Sequence, residues 1–276
     1  MRHLSFLVVF SLLTSSGWAQ SESNKSPAAK KVAAKRLAFM KEQAQAFKGF
    51  RSKDNGKIKP IDEPLLRWTN PYSDVKDGLL VGWVDEKGVP MAMAQIFLFP
   101  GSDSIWGIEV QSLSQESFSL ASPKRGLMWR PSKPGVKWAP FPGKEMKPSP
   151  SKKLRLAQMR NLARRFRGDD NFENAEDESA LRLLPDPMVR YADPENGTVD
   201  GAVFALVHGT DPEMIILIES RKEKDQDPKY MYALARMTGY ELHGYLDKEE
   251  VWNVPAGPPN RVTDVFWRAG LGEKQF

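Results

Sequence analysis

A thirteen-residue segment occurs twice in this chain, and that recurrence constrains the architecture more than any other feature. Residues 37–49 read LAFMKEQAQAFKG and residues 156–168 read LAQMRNLARRFRG, with six positions identical and two more exchanging Lys for Arg. Two amphipathic helices share a pattern by necessity, so the order of the residues beyond each copy carries more weight. Leu65 and Asn70-Pro71 come after the first copy; Leu181 and Asp186-Pro187 come after the second. The two Asp-Gly pairs, Asp77-Gly78 and Asp200-Gly201, come next, each ahead of an apolar run, a turn and a second apolar run. Trp129 lies 52 residues beyond Asp77, and Trp252 lies 52 beyond Asp200. Self-similarity of this kind means one supersecondary unit used more than once. The expected division is repeat one at 37–131, a proline-rich strap at 132–150, repeat two at 151–255 and a C-terminal tail at 256–276.

Each unit reads as a helix followed by an antiparallel meander. Ser26 ahead of Pro27 is a helix-start signal, and Ala33, Leu37, Met40, Ala44 and Phe47 form one apolar stripe on a helix reaching about Phe50. The second helix starts near Ser151, with Leu156, Met159, Ala163 and Phe166 on one face. Strands are expected at 79–84, 89–99, 105–113, 118–121 and 127–129, and again from 181 to 254. The runs Met91–Phe99, Ala202–Val207 and Met214–Ile218 are almost continuously apolar, which implies strands covered on both faces. One helix covers one face. The expected fold class is therefore α+β, an internal duplication of a helix plus antiparallel β-meander. It forms either two sheets, each backed by its helix, or one continuous sheet, with pseudo-twofold symmetry. Six prolines between 131 and 150 exclude regular structure there, and Trp138 and Phe141 pin that strap to the core. Phe266-Trp267 in the Gly- and Pro-rich tail docks somewhere on the same body.

The ends and the charge bound the setting. Residues 1–19 look like a secretory signal, with Arg2 as the basic end, Leu4–Leu13 as the apolar stretch and Gly17-Trp18-Ala19 offering small residues for cleavage. Residues 20–36 are a polar, basic segment into which the first helix extends. An exported, periplasmic or extracellular location is the expectation, with no transmembrane span once the signal is removed. The chain contains no Cys, so no disulfide or thiolate metal site is available, and stability must come from the core. Formal net charge is +5. Residues 152–167 carry Lys152, Lys153, Arg155, Arg160, Arg164, Arg165 and Arg167 and no acid, and residues 169–178 then carry six acids. A basic helix beside an acidic loop neutralises itself within one molecule, which lowers the weight of polyanion binding. No nucleic acid is expected as a partner, since no aromatics interleave with these charges.

Candidate chemistry is sparse. His208 with Asp211 suggests a base oriented by a carboxylate, but Gly209, Asp211 and Pro212 are also ordinary turn residues, and the turn reading is favoured. His243 reads as an outward strand residue. No metal-ligand spacing is present, and no cofactor is expected. Asp77 and Asp200, matched by the repeat, could meet near the symmetry axis as an acid–base pair; the favoured reading is an Asp that caps a turn, with Gly supplying unusual backbone angles. Glu219 and Arg236 are charges inside apolar strands, read as a structural pair across the sheet or as groups in a cavity. No serine elbow and no phosphate loop occurs.

Several stretches resemble an uncharacterised family of exported bacterial proteins. They are Asp200–Glu219 (DGAVFALVHGTDPEMIILIE), Tyr232–Met237 (YALARM), Leu65–Pro71 (LLRWTNP) and Leu181–Pro185 (LRLLP). The resemblance covers most of the chain beyond the signal and implies export, a bacterial source and a globular fold; it brings no activity and no catalytic residues. The leading expectation is a non-enzymatic, monomeric binding or interaction protein, an envelope component or protein partner, with any ligand at the repeat interface or under the strap. The alternatives are a hydrolase of a cell-envelope or extracellular polymer using carboxylates such as Asp77, Asp200 or Glu219, and a polyanion or envelope-surface binder using 152–167.

Overall fold

The structure is a computed structural model and describes residues 26–143, 146–172, 180–224 and 226–276. The expected signal at 1–19, and Glu173, Glu176, Asp177 and Glu178 of the acidic run, lie outside the described residues.

Helix α1 (Pro27–Gln45) is capped by the Ser26 hydroxyl, which accepts from the Ala29 N–H. It buries Phe39, Met40, Gln43 and Ala44. Helix α2 (Lys152–Ala163) is capped by Ser151 and buries Met159, Leu162 and Ala163. Both end earlier than the apolar stripe suggests. Phe47 and Phe166 keep their buried side of the stripe, but Phe47 lies just before strand β1 (Lys48–Arg51) and Phe166 opens a strand of its own. The Gly that closes each thirteen-residue segment sits in that strand: a Cβ on Gly49 would lie 2.5 Å from Leu120 Cδ2, and one on Gly168 3.0 Å from Met214 Cε. Those glycines serve sheet packing rather than a helix stop.

The strands among the described residues form two antiparallel sheets, each curling into a half-barrel, each preceded by its helix. Sheet one contains β1, β2 (Lys57–Pro60), β3 (Leu66–Asn70), β4 (Val75–Val84), β5 (Pro90–Leu98), β6 (Ile105–Ser112), β7 (Phe118–Ser122) and β8 (Leu127–Trp129). Sheet two contains β10 (Phe166–Asp170), β11 (Ala180–Leu183), β12 (Val189–Asp193), β13 (Thr198–His208), β14 (Asp211–Arg221), β15 (Lys229–Arg236), β16 (Leu242–Leu246) and β17 (Glu249–Val254). The strand order is β6-β5-β4-β2-β1-β7-β8 in one and β15-β14-β13-β11-β10-β16-β17 in the other, with β3 paired to β4 and β12 to β13. The two paths match strand for strand, an arrangement consistent with an internal repeat. A single continuous sheet is not what forms.

Each sheet is completed by a strand from the segment that comes after the other. The strap contributes β9 (Ala139–Pro140), two residues of regular structure where none was expected, and β9 pairs with β15. The tail contributes β18 (Phe266–Glu273), which pairs with β6 along its length. Phe266, Trp267 and Leu271 of that tail strand are buried.

Strand alternation then sets the layers. Leu79, Val81 and Trp83 of β4 face α1, and Ala202, Phe204 and Leu206 of β13 face α2. The intervening residues Leu80 and Met93 of sheet one pack on Val203, Ala205, Ile215, Leu217, Ala233 and Ala235 of sheet two. The order is helix, sheet, sheet, helix, with an apolar seam between the sheets. This seam explains the continuous apolar runs.

Candidate functional site

The inter-sheet seam is apolar in the middle and polar at both ends. At one end it opens into a cleft of about 460 Å³. Its floor is Val89, Met91, Leu113 and Leu217, and Trp138 of the strap stands at its side. Glu219 lines the cleft from β14. It is buried, and its carboxylate accepts from the Tyr191 hydroxyl (2.6 Å), the Thr198 hydroxyl (3.1 Å) and Arg221 Nε (2.5 Å). The Arg221 guanidinium lies 4.0 Å above the Trp138 ring. Burial, reinforced by the Glu219 charge, pushes the Tyr191 phenol well above its ordinary value, so it remains a donor to Glu219. On the opposite wall Arg51 Nη1 donates to Asp85 at 3.2 Å. Asp85 also organises the β4–β5 turn, taking the Lys87 and Val89 N–H groups on one oxygen. Lys87 at the tip of that turn reaches across to Asp193 (2.9 Å) at the end of a strand of the other sheet and to Glu195 (2.7 Å) in the turn after it.

The other end of the seam uses the same register with different side chains. In sheet two Tyr191 lies opposite Gly201, and Gly201 opposite Glu219; in sheet one Trp68 lies opposite Gly78, and Gly78 opposite Phe97. The glycine has the same job in both. A Cβ on Gly78 would come within 2.3 Å of the Trp68 ring, and one on Gly201 within 2.6 Å of the Tyr191 ring. Neither glycine has positive φ, so the expectation of unusual backbone angles at the Asp-Gly pairs is corrected: the glycine makes room for an aromatic ring. Trp68, Phe97 and Phe99 form an aromatic row with centroids 6.0 and 5.6 Å apart. Beside that row Asp211, Glu213 and Gln95 are buried together with Asn70.

Asp77 and Asp200 do not meet. Each lies on the helix side of its strand, so both sheets separate them. Asp77 accepts from Arg67 Nε and Nη2 at 2.9 and 2.7 Å, and the same Nη2 donates to the Ala33 carbonyl of α1. Asp200 accepts from Arg190 at 3.0 and 2.7 Å and from Arg155 at 2.9 Å, while Arg190 Nη2 donates to the Lys152 carbonyl of α2. Ala33 and Lys152 stand at the same offset as Leu37 and Leu156. The two aspartates thus anchor the two helices at matching points. An acid–base dyad and a turn cap are both replaced by this clamp.

Glu219 and Arg236 do not pair either. Glu219 stands opposite Met231, and Arg236 opposite Met214, at the far end of the same two strands. Arg236 donates instead to the carbonyls of Thr238, Pro255 and Tyr240. His208 is oriented by a carboxylate, but that of Asp170 on β10 rather than Asp211: Nδ1 lies 3.0 Å from Asp170 Oδ2, with Tyr72 and Phe172 edge-on to the ring. His243 sits between Glu241 and Glu250 on β16. In the basic segment Arg155, Arg160 and Arg165 are held by Asp200, Asp186 and Asp247, and Arg164 donates to Asn161. Lys152, Lys153, Arg164 and Arg167 are exposed. Arg167 lies on β10 rather than on the helix, so the seven cations do not share one face.

Tyr191, Thr198, Arg221, Arg51 and Asp85 were not singled out by the sequence. Tyr191 and Arg190 had one available signal: they precede Asp200-Gly201 by the same spacing that separates Arg67 and Trp68 from Asp77-Gly78. Compared with family models, with curated proteins and with solved structures, the chain matches none.

Proposed function

We infer that this is a non-enzymatic binding protein built from a duplicated helix-plus-meander, and that its ligand is held in the cleft at the Glu219 end of the seam. The ligand that suits the lining is small and amphipathic, with an apolar body against Val89, Met91, Leu113 and Leu217 and polar edges against Arg221, Thr198 and Ser114. Short peptides have that character. The observation that carries the reading is the divergence at matched positions. Trp68, Phe97 and Phe99 form a row of aromatic rings, whereas Tyr191, Glu219 and Arg221 line an open space.

Binding is favoured over hydrolysis because the buried carboxylates of the cleft are already engaged. A general base must reach the proton it takes, yet Glu219 accepts three hydrogen bonds, Asp85 takes Arg51 and two backbone N–H groups, and Asp193 takes Lys87 and Asn196. Duplication with a pseudo-twofold axis through the seam is supported by the matched strand order, the matched helix clamps and the mutual exchange of β9 and β18. Export rests on the pattern of residues 1–19 and is compatible with a chain whose stability owes nothing to disulfides.

The test is a thermal-shift and calorimetric screen of di- and tripeptides against the wild type and Trp138→Ala, with mass spectrometry of the peptides afterwards. The reading expects saturable binding, at least tenfold weaker in the variant, with the peptides recovered intact. Binding unaffected by W138A would place the ligand elsewhere, and cleaved peptides would establish the hydrolase alternative.

A further inference from the structure

The end of the seam opposite the cleft is acidic and buried, with Asn70 and Gln95 as side-chain hydrogen-bond partners of Asp211 and Thr238 as that of Glu213. Asp211 and Glu213 open β14 and point between the sheets. Asp211 Oδ2 accepts from Asn70 Nδ2 of β3 at 3.2 Å. Gln95 of β5 gives its amide hydrogens to the carbonyls of Pro212 (2.7 Å) and Met237 (3.0 Å). That leaves Asp211 Oδ1, Glu213 Oε2 and Gln95 Oε1 as buried acceptors with no donor.

Buried polar atoms in folded proteins are paired, so three unpaired acceptors in one place call for donors. A carboxylate only accepts, whereas a carboxylic acid carries one O–H to donate. Protons on the two acids would supply the missing donors without any further group. Among the described residues, no three His, Asp or Glu side chains are arranged to hold a metal ion in their place.

The charged groups around the cluster give the carboxylates little relief. Arg236 of β15 is given over to three carbonyls. Arg268 of β18 stands opposite Glu109 of β6 in the sheet register. Asp170 of β10 adds a second negative charge beside His208 of β13, and the Tyr240 phenol borders the group. Burial drives Asp211 and Glu213 well above the usual carboxylate range, and the neighbouring acids add to the effect. Burial also lifts Glu109 to about 7 against the pull of Arg268 and Arg236.

We propose that Asp211 and Glu213 are carried as neutral carboxylic acids that donate within this cluster and clip the β13–β14 hairpin onto β3 and β5, making the junction between the two sheets a proton-dependent lock. The folded state then holds protons that the unfolded chain releases from about pH 4 upward. Stability is greatest below about pH 4 and falls as pH rises from there to the folded-state values, by about tenfold in the folded-to-unfolded ratio per pH unit for each such proton. The cleft and the lock share β14, with Glu213 and Glu219 about 20 Å apart along the strand at the usual rise per residue.

The experiment uses the full chain and the variants Asp211→Asn and Glu213→Gln, whose amides imitate the neutral acid. Unfolding would be followed at pH 5 and pH 8, with and without a chelator. Amide hydrogen exchange of the wild type, corrected for intrinsic rates, would be followed at both values. The lock predicts that each variant exceeds the wild type in folded-to-unfolded ratio by about tenfold at pH 5 and by at least a further tenfold at pH 8. It also predicts that amides of residues 207–215 in the wild type lose protection at pH 8. Variants destabilised equally at both values would overturn it, because the carboxylates themselves would then be required. A chelator that lowers wild-type stability would overturn it in favour of a bound cation. Unchanged hairpin protection between pH 5 and pH 8 would overturn it whether or not the variants fold.

Discussion

At one end of the seam β3, β4 and β5 set Trp68, Gly78 and Phe97 in a row; at the other β12, β13 and β14 set Tyr191, Gly201 and Glu219 in the same row. The glycine is kept in both because a ring must lie over it. The third position is not kept, and that change alters what the end of the molecule can do. Two phenylalanines continue the aromatic row beyond Trp68. A carboxylate and a guanidinium beside Tyr191 need partners, hold each other and leave room between the sheets. The turns at the two ends differ in the opposite sense. Val89 and Met91 give the cleft its apolar floor, whereas Asp211 and Glu213 crowd acids beside the aromatic row. One scaffold therefore presents a polar wall over an apolar floor at one end and an aromatic wall beside an acidic floor at the other. A backbone requirement fixes the glycine and the ring; side-chain chemistry is free around them.

The largest expected effect probes what the two halves share. Asp200→Ala removes the buried carboxylate that Arg155 and Arg190 share, and Asp77→Ala removes the one that holds Arg67. Breaking a buried pair costs about 3–5 kcal/mol, so denaturant unfolding should place D200A at the upper end and D77A below it. Equal losses would show that the second arginine on Asp200 adds nothing to its clamp. Next come Gly78→Ala and Gly201→Ala, each overpacking against a ring at about 1–3 kcal/mol. Only G201A should also weaken peptide binding, because it pushes Tyr191 off Glu219; an equal effect of G78A on binding would remove the distinction between the ends. Tyr191→Phe deletes one donor to a buried carboxylate and should cost about 1–3 kcal/mol in the same unfolding assay.

The smallest effect lies at the outer strand pair β16–β17. The Glu250 and Glu241 carboxylates raise the His243 imidazole against the opposing effect of partial burial. A raised value means that its contribution is present below about pH 6.5 and is lost as pH rises through the folded-state value. Being substantially exposed, the pair should contribute less than about 1 kcal/mol. His243→Asn should therefore differ from the wild type at pH 5.5 and match it at pH 8.5.

Much of the fold was legible because the repeat is written in identities and in spacing. The helix starts at Ser26 and Ser151, the two meanders and the pairing of apolar runs come from local pattern. Three things were hidden for physical reasons. The strand at Phe266–Glu273 contains Ala269, Gly270 and Gly272, which carry no strand preference, and its partner lies more than 150 residues away. Glu219 with Tyr191, and His208 with Asp170, are set by register between distant strands; alternation names a face but not the neighbour across it. Symmetry alone suggests a meeting of Asp77 and Asp200. Counting parity from Leu79 and Ala202 would have put each with its own helix, since side chains two apart share a face.

The proposed ligand site occupies one end of the seam and not the other. The most direct measurement is an amide and indole NMR shift map of the isotope-labelled protein titrated with the di- and tripeptide panel. A ligand held in the cleft predicts saturable shifts confined to Tyr191, residues 217–221 and the Trp138 indole N–H, with the Trp68 and Phe97 row unmoved. Shifts centred on Phe97 and Phe99, or on the basic helix at 152–163, would contradict it.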